Sequence, residues 1–350
     1  MKALIEKLNA GLDLSSDEIG QAVAVLLSST VSDESKAQFL KRLHEKGESA
    51  EEIAGFVRQL VNRAIDPGLE LEKLSAPVID VCGTGGDGLD LFNVSTAIMF
   101  VLAAGGVVVI KHGNRAVTSR SGSADVLEAL GIVIDLPPEE LKQCVERHGL
   151  GFIYARQYHP AFRALAEMRT RLARENTRTI FNLLEPLLNP ARPTRQLIGV
   201  FAPHLTNLFG EVLQQLGREC AWIVHGLTES GVGIDDISIS GATTITELNG
   251  QKITSAVLDV SWLGIPRASI TELRGGNARE NAATIEGILE GKITGPKRDM
   301  VIANAGGGFV VSGLAEDLKV GIQLAREQIE SGNALKKLRE LQAYRPRNSA

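Results

Sequence analysis

The run that most limits what this chain can fold into is residues 78–131, VIDVCGTGGDGLDLFNVSTAIMFVLAAGGVVVIKHGNRAVTSRSGSADVLEALG. Residues 78–82 are apolar and β-branched and stop abruptly at Gly83-Thr84-Gly85-Gly86-Asp87-Gly88. That is the pattern of a buried strand opening into a glycine-rich loop. A helix is expected to start near Asn93-Val94-Ser95-Thr96, and a second strand over residues 107–110 delivers Lys111-His112-Gly113-Asn114-Arg115 at its end. Ser119, Ser121 and Ser123 then precede another apolar helix. In an open parallel sheet, the loops at the carboxyl ends of the strands converge on one crevice, so both loops should face one ligand. Successive backbone N–H groups and the positive end of the helix dipole favour an anion there, and a phosphate or pyrophosphate is expected.

A glycine loop by itself is weak evidence, since a close turn needs glycine for positive φ whether or not anything binds. Gly83 to Gly88 also fits the dinucleotide spacing G-x-G-x-x-G literally. Asp87, however, lies inside the loop, where it would face a pyrophosphate unless a cation stood between them. An acid in an anion loop points to a metal ion or a polarised substrate hydroxyl.

The rest of the chain extends the βα rhythm around a helical start. Over residues 1–66 helix follows helix: Ser15-x-x-Glu18 and Ser49-x-x-Glu52 fit capping boxes, Gly47 is a C-cap, and Ile53, Phe56, Val57, Leu60, Val61 and Ala64 share one face. Asp66-Pro67-Gly68 is turn chemistry and marks the exit. Beyond the opening run, residues 132–134 are expected to form a strand, Pro137-Pro138 starts a helix ending near His148-Gly149, and residues 152–154 form the next strand. Residues 160–175 are helical by spacing and carry Arg163, Arg169, Arg171 and Arg174, mostly a solvated face. Strands are expected over 196–201 and 221–225 with a helix through Gln215 between them, a mobile glycine-containing loop over 228–233, and a close-approach turn over 303–308. Residues 345–350 are a tail. The expected fold class is α/β: a small N-terminal helical domain, residues 1–70 joined by helices around 160–190, and a larger α/β domain, residues 71–350, with a mostly parallel central sheet.

At 350 residues there is material for about two domains with a sizeable core. The net charge of -5, with no block of like charges, argues against a nucleic-acid binder. Cys82, Cys144 and Cys220 are scattered and lack C-x-x-C spacing, as expected of buried reduced thiols in a cytoplasmic protein. No apolar run approaches the length of a membrane span, and the first residues lead into a helical pattern rather than a signal peptide.

GTGGD, N-x-S-T, KHGNR and SGSADVLEALG, in this order and spacing, resemble the anthranilate phosphoribosyltransferases of tryptophan biosynthesis. Tyr158-His159-Pro160, Arg178-Thr179-Ile180-Phe181-Asn182, Pro186-Leu187-Leu188-Asn189-Pro190, Gly233-Ile234-Asp235-Asp236-Ile237-Ser238, Gly275-Gly276-Asn277-Ala278 and Asn304-Ala305-Gly306 agree, so the resemblance covers nearly the whole chain. More distantly, the loops are similar to those of pyrimidine nucleoside phosphorylases. The resemblance implies transfer of the phosphoribosyl group from phosphoribosyl pyrophosphate (PRPP) to anthranilate, Mg²⁺ as cofactor with two ions, and a homodimer formed through the N-terminal helices. It implies that Gly83, Gly86, Asp87, Asn93, Ser95, Thr96, Lys111, Asn114, Ser119 and Ser123 hold the donor. Ser95, Asp235 and Asp236 would hold the metal, and Gly83, His112, Asn114, His159 and Arg169 would lie at the acceptor, with Arg171 the rival of Arg169. No residue is expected to act as a covalent nucleophile. The chemistry agrees in part, because a lysine supplies charge to phosphate and an arginine suits a benzoate carboxylate.

The chain departs from the family pattern at several places. Asp236 stands where a Glu is usual, Leu91 where a phosphate-contacting Thr is expected, and the stretch between Arg169 and Arg178 is about three residues longer. Glu185 replaces the glycine of a Gly-Pro pair at the acceptor site. Two outcomes are open for it: Glu185 turns away to one of Arg169, Arg171, Arg174 or Arg178, and its removal changes the anthranilate KM only modestly, or the acceptor is a different aromatic compound. A noncatalytic relative that binds nucleic acid or another anion is the reading of a different class; net acidity and Asp235-Asp236 count against it.

Overall fold

The structure, a computed structural model, describes residues 1–86, 88–116, 120–175 and 177–346, apart from the side chains of Arg163 and Ala173. Four helices open the chain: α1 (Lys2–Asn9), α2 (Ser16–Leu27), α3 (Asp33–Lys46) and α4 (Ala50–Val61). Both capping boxes form, and Gly47, at φ 87°, ends α3. Glu52 does more than cap. Fully buried, its carboxylate accepts from Ser49 N at 3.0 Å, from Leu14 N at 2.9 Å and from Lys46 Nζ at 2.7 Å, so the start of α4 is tied to the α1–α2 connection.

Ile53, Phe56, Val57, Leu60 and Val61 are buried on the face of α4 that the spacing marked out. Their core does not close within the four helices. It takes in Leu165 just before α9 (Ala166–Arg174), Met168 and Leu172 from α9, Phe181 and Leu184 from α10 (Phe181–Leu184), then Phe209 and Val212 from α11 (Leu205–Gln215). Leu40, Leu43 and Leu184 are completely buried there, and truncating any of them to Ala would cost about 2–5 kcal/mol.

Among the described residues the central sheet has eight strands: β1 (Val78–Gly83), β2 (Val108–Gly113), β3 (Leu150–Tyr154), β4 (Arg195–Gly199), β5 (Cys220–Leu227), β6 (Gly233–Ile234), β7 (Thr243–Asn249) and β8 (Lys252–Leu258). The order is β3-β2-β1-β4-β5-β7-β8, with β6 beside β5. The first five are parallel, and β6, β7 and β8 pair antiparallel. Helix α11 packs on one face of the sheet and carries the N-terminal helices against it. On the other face lie α5 (Val94–Ala104) and, after α6 (Ser123–Ala129), α7 (Pro138–His148), α8 (Ala155–Tyr158) and α12 (Ala278–Leu289), the helix α13 (Pro296–Ser312). Two last helices, α14 (Leu318–Glu330) and α15 (Asn333–Ala343), complete that layer. Nearly every residue of α5 is buried, because sheet, α13 and α15 surround it.

Several expectations are corrected. Residues 132–134 are not a strand: Ile132 and Ile134 bury against the core, but β3 already occupies the edge of β2. Strand β2 runs on to Gly113, so Lys111 and His112 belong to the strand and not to the loop after it. Residues 303–308 are not a turn but the middle of α13. Their glycines serve close packing: a Cβ on Gly307 would come 2.6 Å from Ile237 Cδ1, and one on Gly321 of α14 would come 2.3 Å from the Gly306 carbonyl oxygen. Residues 228–232 close a tight turn in which Thr228 N–H donates to Val232 O at 2.8 Å and Val232 N–H to the Thr228 hydroxyl at 2.9 Å, and Gly233 already belongs to β6.

Candidate functional site

The glycine loop leaves β1 at Gly83, and Gly85, Gly86 and Gly88 take φ values of 66°, 83° and 71°, which side-chain-bearing residues adopt at a cost. This left-handed series turns the loop against Asp235, whose carboxylate accepts from Gly85 N–H at 2.7 Å. Two strand-end glycines let Asp235 come that near. A Cβ on Gly83 would lie 2.4 Å from its Oδ2, and one on Gly199 would lie 1.4 Å from its carbonyl oxygen. Thr84 completes the junction, its N–H donating to Gly199 O at 2.9 Å and its hydroxyl accepting from Phe201 N–H at 3.1 Å.

Helix α5 begins at the same place. Asn93 is its N-cap residue, but the side chain caps nothing in the helix. It is spent on the neighbouring loop, donating to Ser121 O at 3.2 Å and accepting from the Ser121 hydroxyl at 3.1 Å and from Asn281 Nδ2 at 2.9 Å. Asn281, which nothing in the local sequence marks out, therefore ties the segment after Gly275-Gly276 to both loops. Thr96 Oγ1, in the first turn of α5, is buried with no partner among the described residues. Ser123 starts α6, with Asn114 O 3.5 Å from its hydroxyl, and Asn114 folds its own Oδ1 onto Arg115 N at 2.9 Å. Arg115 is engaged with Asp125, Glu128 and Tyr154, which makes it a clamp on α6. Asp87 and Ser119, also expected at the donor, lie outside the described residues. Leu91 packs against the sheet core, and its backbone bridges to Arg274.

Lys111 is buried under these loops. Its ammonium donates to Val81 O at 2.5 Å and to Ser95 Oγ at 3.2 Å. Burial lowers its pKa, while Asp80 and Asp236 hold the charge in place. Asp80 is the deep end of the network: it accepts from Asn189 Nδ2 at 3.0 Å, from His112 N–H at 3.2 Å and from Gln196 Nε2 at 3.4 Å. Burial raises its pKa against the pull of Lys111. An acid inside the apolar run VIDVC was the visible sign of this network. Its partners on β4 and beyond β3 were not visible.

Ser95, Asp235 and Asp236 thus gather around Lys111 and Gly83, next to the loop. Among the described residues no three His, Cys, Asp or Glu converge into an all-protein metal cage. Two carboxylates and a hydroxyl at the rim of the glycine loop fit Mg²⁺, which binds through one or two carboxylates and completes its shell with water and substrate oxygens.

Beyond this lies an aromatic and histidine cluster. His112 and His159 are buried with ring centroids 5.3 Å apart, and His159 stacks on Phe162 at 5.1 Å. His159 Nε2 pairs with Leu188 O at 2.9 Å, and burial brings its pKa down to about 4. Burial, then His159 and Lys111, push His112 well below the usual range, so both rings are neutral at physiological pH. The Glu185 carbonyl faces the His112 ring, while His112 Nε2 is buried and without a partner among the described residues. Of the two rival arginines, Arg171 is exposed, 3.8 Å from Glu34. Arg169 points to the cluster: its guanidinium lies 4.9 Å from the Phe181 ring centroid and 5.8 Å from that of Phe162, and its Nη2 donates to Glu185 Oε1 at 2.7 Å.

The helices that open the chain and the α/β part that follows each match a glycosyl transferase family model. The one described as "Glycosyl transferase family, helical bundle domain" covers residues 2–64, and the one described as "Glycosyl transferase family, a/b domain" covers residues 75–335. Among curated proteins the chain is similar to the anthranilate phosphoribosyltransferases of Desulfatibacillum aliphaticivorans, at 42% identity over 99% of this chain and 98% of that protein, and of Methanosarcina barkeri, at 42% over 98% and 90%. Among solved structures it is similar to anthranilate phosphoribosyltransferase from Thermus thermophilus, with a TM-score of 0.87 at 38% identity over 97% of this chain and 98% of that one. It is also similar to the Saccharomyces cerevisiae enzyme in complex with PRPP and Mg, with a TM-score of 0.82 at 26% identity over 97% and 96%. The chain belongs to the anthranilate phosphoribosyltransferase family.

Proposed function

We propose that this chain transfers the phosphoribosyl group of PRPP to the amine of anthranilate, releasing pyrophosphate. The observation that carries the reading is that the glycine loop meets Asp235 while buried Lys111 reaches Ser95 at the start of α5, and that the next residue of β2, His112, pairs with His159 beside the Phe162 ring that Arg169 borders. In the reaction the bond from ribose C1 to pyrophosphate breaks, the amine nitrogen bonds to C1, and the amine loses a proton. The sugar passes through an oxocarbenium-like state, so positioning and charge stabilisation carry the rate.

The N–H groups at Gly83 and Gly86, the first turn of α5 at Asn93, Ser95 and Thr96, and Lys111 hold the donor, with Asn114 and Ser123 from the second loop and with Asp87 and Ser119. Thr96 Oγ1, buried and unpaired among the described residues, is a ready donor to a phosphate oxygen. Ser95, Asp235 and Asp236 hold Mg²⁺, with two ions expected; when bound, the metal neutralises charge on the departing pyrophosphate. Gly83, His112, Asn114, His159 and Arg169 form the acceptor side. With the Glu185 carbonyl facing the His112 ring, the buried Nε2, unpaired among the described residues, is available to accept from the amine N–H. The neutral rings place no positive charge beside the forming oxocarbenium.

The same family membership supports a homodimer through the N-terminal helices, a cytoplasmic location, and a division into residues 1–70 with the helices around 160–190 and residues 71–350. The deciding assay is the loss of anthranilate fluorescence with PRPP and Mg²⁺, run against pyrophosphate release. Equal rates support transfer; pyrophosphate release without anthranilate consumption would assign the donor to another acceptor. Sedimentation of the purified chain tests the dimer.

A further inference from the structure

Glu185 stands where the family pattern has glycine, and its backbone does not account for the difference. Its φ of −50° and ψ of −47° are ordinary helical values open to any residue, so what this chain adds is a side chain. That side chain reaches the arginine assigned to the acceptor. The Arg169 guanidinium lies over the Phe181 and Phe162 rings, Phe162 stacks on His159, and His159 meets His112 edge-on, so the guanidinium borders the histidine cluster. The ion pair rests on a single bond, Nη2 to Oε1 at 2.7 Å, where a guanidinium and a carboxylate can form two in parallel. Both side chains keep part of their surface in solvent, 23% for Arg169 and 38% for Glu185, so the carboxylate can leave for water.

We propose that Glu185 is a built-in stand-in for the acceptor's carboxylate: it occupies the Arg169 guanidinium until an aromatic amine bearing a carboxylate displaces it, and so sets the affinity and selectivity for the acceptor. This rests on the anthranilate reading above and deepens it. It gives a sign to the modest change in the anthranilate KM expected of a Glu185 turned toward an arginine, because the arginine it has turned to is the one bordering the histidine cluster. Glu185 competes with the substrate for one group, and removing the competitor should tighten binding by the small factor that a partly exposed ion pair commands.

The test is the steady-state KM for two acceptors, anthranilate and its uncharged carboxamide analogue, in wild type, Glu185→Gln, Glu185→Gly, Arg169→Gln and the Arg169→Gln/Glu185→Gln double variant, at saturating PRPP and Mg²⁺. Both Glu185 variants should lower the anthranilate KM by about two- to fivefold. The KM values for the carboxamide and for PRPP should stay where they are, and the gain should vanish in the Arg169→Gln background. An anthranilate KM that is unchanged or raised in both Glu185 variants, or a shift shared equally by both acceptors, overturns the proposal while leaving the transferase reading standing. If wild type and both Glu185 variants bind PRPP yet turn over no anthranilate, the acceptor reading itself fails, and the proposal fails with it.

Discussion

The proposed donor site is built largely from strand ends and loop backbone, whereas the proposed acceptor site, beyond His112 of β2, is built from side chains on the short helices between β3 and β4. Around Asp235 the partners are Gly83, Gly85 and Gly199, placed by β1 and β4 in the middle of the sheet, and Lys111 is locked beneath them between Val81 and Ser95. Around Arg169 the partners are Glu185, Phe162 and Phe181, all from the segment between β3 and β4 that packs into the core of the N-terminal helices. Phosphate is recognised by N–H groups and charge at fixed points, which the ends of central strands supply with little freedom. An aromatic acceptor is recognised by shape and by one carboxylate, which leaves room for a substitution such as Glu185 without disturbing the fold.

The largest effect expected from this contrast is at the carboxylate pair. Asp235→Asn with Asp236→Asn should reduce turnover by at least about a thousandfold while thermal unfolding stays near wild type, since the pair serves the leaving pyrophosphate more than the core. Activity retained at saturating Mg²⁺ would move the metal site elsewhere. Next is the difference between the two cations. Lys111→Ala should raise the PRPP KM and also destabilise the chain by about 3 kcal/mol, because buried Asp80 loses its counter-charge. Arg169→Ala, on a partly exposed pair, should cost less than about 1 kcal/mol of stability and act mainly on the acceptor KM. Equal stability losses from urea titrations of the two variants would erase the distinction between an embedded and a peripheral charge.

A smaller effect concerns pH. His159 has its pKa lowered by burial from the usual 6.5 to about 4, so its contribution to stability is fully present above pH 6.5 and is lost as pH falls toward 4. The full loss would be about 3 kcal/mol if the ring stayed neutral throughout that window. His159→Gln should flatten the stability profile between pH 6.5 and 4. His112 is shifted in the same direction and leaves a residual slope. An unchanged profile in the variant would mean that the ring is not buried as described.

The same contrast governs how much could be read from the residues in advance. The glycine loop, the two capping boxes, the C-cap at Gly47 and the apolar face of α4 are local chemistry, fixed by neighbours in sequence. The family resemblance added the pairing of distant motifs. What stayed hidden was set by tertiary packing: the glycines of α13 look like a turn until α14 and Trp222 are placed beside them. Residues 132–134 look like a strand until β3 takes their edge. Gly199 looks like any strand terminus until Asp235 is laid across it. The partner of Glu185 could be narrowed to four arginines by proximity in the chain, but which one it takes depends on how α9 sits over Phe181.

Whether a strand-end donor site is joined to an acceptor site for anthranilate beside the short helices is tested most directly by following anthranilate fluorescence with PRPP and Mg²⁺, each omitted in turn. Consumption should need both and match pyrophosphate release one for one. Mg²⁺-dependent PRPP binding with no anthranilate consumption, in wild type and in Glu185→Gly alike, would contradict that joining.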